Sequence, residues 1–201
     1  MKKILTALVV ATGLLLTGCS NVDTALTVGD TKITTAELQA NVDILLAERT
    51  KVDTSQMQLE NGETLLRNQL NFRLLLATFS EIAKEFEIQI TSSEIAGRRA
   101  EVIEQVGGEE ALPGALVSAS IAPEYLDGYL RALLITQKLG EAFGLTGGAE
   151  ADVQARIQDL FVEKVNELKI KVSPRYGKWD PTTGTIIAAV PASDAVTPSE
   201  E

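Results

Sequence analysis

Apolar and polar positions alternate near both ends of this chain and follow a helical period between them. Thr24, Ala25, Leu26, Thr27 and Val28 are followed by Gly29-Asp30 and then Thr31-Lys32-Ile33. This predicts a tight hairpin with Leu26, Val28 and Ile33 on one face, and Gly29 supplies the positive φ that two-residue turns need. Thr34 with Glu37 three places on is a capping box. It predicts a helix to about residue 48, with Leu38, Val42, Leu45 and Leu46 on its apolar face. Residues 50–62 read as a polar loop whose large apolar side chains, besides Val52, are Met57 and Leu59.

The longest periodic stretch is 63–86. Leu65, Phe72, Phe79 and Phe86 recur every seven residues, with Leu75 and Ile82 between them. Such a repeat marks a seam against another helix. An aromatic stripe that binds a client chain is the alternative, and core packing is the expected role. Thr91 and Glu94 form a second capping box, opening a mostly polar helix that ends before Gly107-Gly108. A short helix interrupted by Pro113 is expected within 109–119, and Pro123 opens another that runs to about 143. On that helix Gly128, Ala132, Thr136 and Gly140 fall on every fourth position, which points to a closely approaching neighbour helix or, less simply, to a ligand groove. Gly144–Gly148 reads as a flexible link. A last helix is expected over 149–168, with Val153, Ile157, Leu160, Phe161 and Leu168 on one face, and a strand over 169–172. The Ser-Pro-Arg-Tyr-Gly-Lys-Trp-Asp segment at 173–180 reads as a packed corner with Trp179 on the core; a peptide-contact patch at Arg175, Tyr176 and Trp179 is the other reading. Beyond 180 the Thr, Ala, Pro, Ser and Glu composition predicts a mostly disordered tail, with room for a short strand over 185–190.

The first nineteen residues carry a different signal. Lys2 and Lys3 precede an apolar run over 4–16, and Leu16-Thr17-Gly18-Cys19 follows. A basic start, an apolar stretch and small residues at a cleavage point make a secretory leader. Its ending looks like a lipobox, in which Cys19 receives a diacylglyceryl group and becomes the new amino terminus. Two acyl chains give stable anchoring where one does not. The run is short for a membrane-spanning helix, which needs about 20 apolar residues. The expected layout is a leader at 1–18, a lipidated tether at 19–24, a helical domain at 25–180 and the tail at 181–201. About five extended residues span roughly 17 Å, so the domain is expected close to an extracytoplasmic membrane surface.

Composition removes several functions. The chain of 201 residues has a formal net charge of −10. The leader holds Lys2 and Lys3 and no acid, so the remainder carries 16 Lys and Arg against 28 Asp and Glu, a side-chain charge of −12. An acidic surface repels phosphate backbones, so no nucleic-acid partner is expected. By the same reasoning it repels an anionic bilayer, leaving attachment to the lipid. Cys19 is the single cysteine and histidine is missing. Disulfides within the chain, Cys/His zinc sites and histidine-based catalysis are therefore excluded. No phosphate-binding Walker loop is present. Neither enzymatic activity, a metal nor a cofactor is expected.

Two stretches carry a resemblance: Val28-Gly29-Asp30-Thr31-Lys32-Ile33-Thr34 leading into Glu37-Leu38, and Val172-Ser173-Pro174-Arg175-Tyr176-Gly177-Lys178-Trp179-Asp180. With the helical run around 130–139 between them, and a lipobox ahead, this order resembles the SurA/PrsA family of extracytoplasmic folding factors. The resemblance spans roughly 26–180. It implies a mainly α chaperone core with a small β-sheet, formed by the N-terminal hairpin and a C-terminal strand in which Ile170 and Val172 lie beside that hairpin. Many relatives insert a parvulin prolyl isomerase domain between the two halves. Here 144–148 occupies that place and the histidines of that site have no counterpart, so isomerase activity is not implied. The resemblance implies a membrane-anchored, ATP-independent holdase for unfolded or newly exported polypeptides. A cell-envelope adaptor binding one folded partner is the rival. Candidate client-facing side chains, taken from spacing, are Met57, Leu59, Ile121, Tyr125 and Tyr129.

Overall fold

The computed structural model describes residues 23–144 and 149–189. The lipobox residues Leu16, Thr17, Gly18 and Cys19, the tether as far as Val22, and the link residues 145–148 lie outside the described residues. The order is β1 (Thr24–Val28), β2 (Thr31–Thr34), α1 (Thr35–Arg49), α2 (Gly62–Glu85), α3 (Ser92–Val106), α4 (Leu112–Ser118), a 3-10 turn at Pro123–Tyr125, α5 (Leu126–Gly144), α6 (Glu150–Glu167), β3 (Ile170–Val172), β4 (Lys178–Asp180) and β5 (Thr185–Ile187). The fold is mainly α, with a small antiparallel sheet built from segments near the two ends of the described chain. No helix among the described residues is long and apolar enough to cross a membrane.

β1 is the middle strand of a three-stranded sheet, ordered β2-β1-β3. The hairpin pairs Leu26 with Ile33 and Val28 with Thr31 across a turn in which Gly29 has φ +58°. On the other side Leu26 pairs with Val172 and Val28 with Ile170. Alternation along each strand then puts Leu26, Val28 and Ile33 inward, all buried, with Ile170 and Val172 packed beside them. That face rests on Leu38 of α1, Leu70 and Leu74 of α2, and Val165 of α6. β4 and β5 make a separate two-stranded sheet next to β3. Trp179 and Tyr176 pack on the same core, as expected of a packed corner.

Both capping boxes form. The Thr34 and Thr91 side chains accept from the Glu37 and Glu94 backbone N–H groups, and each glutamate carboxylate accepts from the cap residue's N–H. α3 ends at Gly107, whose φ of +99° suits a left-handed cap.

Four expectations need correction. Leu46 does not share the α1 apolar face; it is 42 % exposed, and Leu38, Asn41, Val42 and Leu45 are buried instead. Leu46 lies about 100° round the helix from Leu45 and is left facing outward. The seven-residue seam on α2 stops short of Phe86, which caps the helix and is 44 % exposed. α2 buries Leu65, Gln69, Leu70, Leu74, Thr78, Phe79 and Ile82. It contacts α1, α5, α6, β1 and β5, so its buried surface is broader than one stripe. Pro113 does not interrupt α4 but stands in its first turn, where its missing N–H costs no hydrogen bond. The fold also continues beyond Asp180. Thr185–Ile187 is a strand, and Ile186 is 2 % exposed within the main core. Residues 190–201 lie outside the described residues.

Asn71 of α2 explains how β5 is held. Its Nδ2 donates to the Ile186 carbonyl at 3.0 Å, and its Oδ1 accepts from the Ile186 N–H at 2.7 Å. The side-chain amide thus serves β5 as a neighbouring strand would. Gly177 lets the hairpin fold back, since a Cβ there would meet the Ile187 carbonyl oxygen at 2.3 Å. Asn71→Ala strips both partners from a half-buried strand and should cost about 1–3 kcal/mol, measured as a lower urea midpoint. Asn71→Asp keeps the acceptor for the Ile186 N–H but sets a carboxylate oxygen against the Ile186 carbonyl, so at neutral pH it should be no more stable than Asn71→Ala.

A second prediction concerns α3. The Lys138 ammonium of α5 lies 2.6 Å from the Glu94 carboxylate, which also accepts from Thr91. Lys138 first, and Thr91 next, pull the Glu94 carboxyl down from 4.5 to about 2. A depressed acid favours the folded state fully above its ordinary value and loses that contribution as pH falls toward the folded value. The stability of the native chain should therefore drop more steeply between about pH 4.5 and 2 than that of Glu94→Gln, as read by acid titration of the far-ultraviolet dichroism.

Candidate functional site

α2, α5 and α6 pack together, and two of the openings among the described residues border α6. The first lies between α5 and α6. Leu133, Thr136 and Gly140 line it from α5, Val153 and Gln154 from α6, and it encloses about 620 Å³. α6 packs against Gly140 at ordinary contact distance: a Cβ there would stand 3.8 Å from Ile157 and 3.9 Å from Val153. Gly128, one end of the same stripe, faces Leu76 of α2 at 3.4 Å. The stripe of small residues therefore marks close helix approach, as expected, and its far end also borders an opening.

The second opening lies between α2, α6 and the turn that joins β4 to β5. Phe72 and Leu75 line it from α2, Gln158 and Phe161 from α6, and Thr183–Thr185 close one side, around 310 Å³. Gln154, Gln158 and Phe161 stand at i, i+4 and i+7, so both openings run along one face of α6. Phe72, Leu75, Leu133 and Phe161 are all half-buried. Together they form an interrupted trough along α6, apolar at these four side chains and charged where Arg98, Glu141 and Glu150 border the first opening.

Phe72 and Phe161, both in the lining of the second opening, each meet other rings. Phe72 meets Tyr125 edge-on at 6.3 Å and Tyr129 at 6.2 Å, while Phe161 meets Phe79 at 5.5 Å. Arg73 holds Tyr125 in two ways. Its guanidinium lies 4.5 Å over the ring, and its Nη1 donates to the phenolic oxygen. Burial pushes the Tyr125 hydroxyl above its ordinary value, and the Arg73 charge opposes that shift. At the edge of the α5–α6 opening Arg98 is tied to Glu101 at 2.9 Å and to Gln137.

The five candidates chosen from spacing separate. Tyr125 and Tyr129 come together on Phe72. Ile121 is 7 % exposed and belongs to the core with Leu126 and Leu130, so it is not client-facing. It reads as a loop residue in sequence, but the chain reverses there and drives it inward. Met57 and Leu59 are half-buried on the segment between α1 and α2, border neither opening and join none of the apolar clusters. Spacing alone missed Leu133, Gln154, Gln158 and the Thr183–Thr185 turn. Leu133 was legible only as one of many α5 leucines, and the turn only once Asn71 is seen to bring β5 against α2. Phe72 was legible through its seven-residue repeat. In comparisons with known proteins no family model matches the chain, and no curated protein and no solved structure matches it either.

Proposed function

We propose that this chain is an extracytoplasmic, ATP-independent holdase, anchored to the membrane through lipid on Cys19 and without prolyl isomerase or other enzymatic activity. The observation that carries the reading is the open, partly apolar trough along α6, set in helices that a small sheet clamps from both ends of the domain. Unfolded or newly exported chains are the clients. An apolar client side chain covering Leu75, Leu133 or Phe161 gains roughly 25 cal/mol per Å² buried. Ordering of the client offsets much of that, so each contact is weak and the client leaves to fold. Leu, Phe and Val in the lining favour apolar segments, and Gln, Thr and the charges of Arg98, Glu141 and Glu150 accept varied polar neighbours, so no one sequence is demanded. Nothing in this cycle requires a nucleotide, a metal or a cofactor.

The test is aggregation of a chemically unfolded protein on dilution, followed by light scattering with the full chain present and an acidic protein of similar size as control. Near-stoichiometric suppression without ATP is the expected result. Leu75→Ser with Leu133→Ser should weaken suppression several-fold while the chain still melts cooperatively. Met57→Ser with Leu59→Ser should leave it unchanged. Failure of the native chain to suppress aggregation at any ratio would move the assignment to an adaptor that buries the trough against one folded partner.

A further inference from the structure

The chain is acidic as a whole, yet its cations are sorted. Among the described residues the lysines of the helical body, Lys51, Lys84, Lys138 and Lys164, each sit in an ion pair. The lysines on the sheet side, Lys32, Lys169, Lys171 and Lys178, are all exposed and pair with no carboxylate among those residues. Arg175 beside them is exposed too, with its guanidinium 5.7 Å from the Tyr176 ring.

Strand register puts these charges on one surface. Thr27 of β1 lies opposite Lys32 on one side and Lys171 on the other. Leu26 and Val28 face the core, so alternation turns this row of three outward. Two lysines on the strands flanking β1 stand about 10 Å apart at ordinary strand spacing. Lys169 shares the outward phase of Lys171, and Lys178 precedes Trp179, whose ring packs inward. Asp23 and Asp30 lie at the two ends of β1, off the row. Asp180 is turned to its own loop, accepting from the Thr182 N–H at 2.9 Å and the Thr183 hydroxyl at 3.1 Å.

We propose that this outer face of the sheet docks on an anionic phospholipid surface. The inference rests on the reading of Cys19 as the lipid anchor. Thr24 opens β1 five residues after Cys19, within roughly 17 Å of extended chain, so the sheet is the part of the described fold tethered nearest the bilayer. A lipid with a basic patch is a two-signal attachment. The patch sets orientation: the same bilayer field that attracts the sheet repels the acidic helical body and turns the trough away from the membrane. The expectation from net charge, that the whole domain avoids an anionic surface, thereby fails on this face alone.

Trp179 is the chain's one tryptophan and neighbours Lys178, which gives the test its probe. The full chain, made in a host that lipidates exported proteins, is placed on vesicles of phosphatidylcholine or of phosphatidylcholine with about one-third phosphatidylglycerol. A headgroup-spin-labelled lipid then quenches Trp179 when the sheet lies on the surface. Quenching should rise on the anionic vesicles and fall again between about 0.05 and 0.5 M salt. Lys32→Thr with Lys171→Thr keeps strand-forming residues and should weaken docking roughly 25-fold, at about fivefold per cation. Equal quenching on both vesicles, or no effect of the double substitution, overturns the proposal. Attachment is read separately by washing. A chain that washes off both vesicles refutes the anchor and the docking together, and a chain that stays without a response to anionic lipid refutes the docking alone. A patch that binds soluble polyglutamate but shows no preference for the anionic vesicle faces an acidic polypeptide and also overturns it.

Discussion

The pairing of β1 with β3 is the constraint on which the rest of the molecule depends. Val172, which follows the last helix, lies beside Leu26, which precedes the first, and the Ser173 N–H continues the ladder to the Ala25 carbonyl at 3.0 Å. Almost the whole helical body is thereby closed into one loop. Closing so long a loop costs only slowly more with length, but nothing local repays it. The repayment is apolar: Leu26 is fully buried, and the inward face of the sheet seals a core made by α1, α2 and α6. Strands this short would not hold alone; they persist because the helices beneath them need a lid.

α2 is the other organiser, and its polar residues matter as much as its leucines. Gln69 accepts from the buried Asn41 amide at 2.8 Å and donates to the Ser120 carbonyl at 2.9 Å. That ties α1, α2 and the bend after α4, where Ser120 sits at φ +55°. Asn71, two residues on, reads the backbone of β5. A central helix leaves no solvent side for such amides, so each is turned to a backbone or amide group that would otherwise lack a partner. The outcome is that two distant segments are stapled to α2 by side chains that in sequence look merely hydrophilic.

Charge is divided between the same two parts. Carboxylates on the helices hold the helical lysines in ion pairs, several of which bridge elements: Glu94 to Lys138 joins α3 to α5, and Glu85 to Lys164 joins α2 to α6. Exposed pairs of this kind contribute little each, but they occupy every lysine of the helical body among the described residues. Among the described residues the sheet lysines pair with no carboxylate. A trough on one side and a basic face on another give the domain two different surfaces within one acidic total.

Local rules written in the sequence determined the hairpin with its glycine turn, both capping boxes and the helical spans, because each depends on residues within a few positions of one another. The heptad of α2 and the small-residue stripe of α5 were legible for the same reason, although Phe86 and Leu46 show that periodicity does not say where a neighbouring helix ends. The strand beside β1 was expected through the resemblance and not from any local rule; the tertiary structure alone decided that β5 belongs to the core, that Ile121 turns inward and that Leu75 and Phe161 line one opening and Leu133 the other. It also decided which lysines are neutralised. Those outcomes depend on pairs of residues far apart in the chain, whose meeting is set by burial and strand register, and no window of sequence contains both partners.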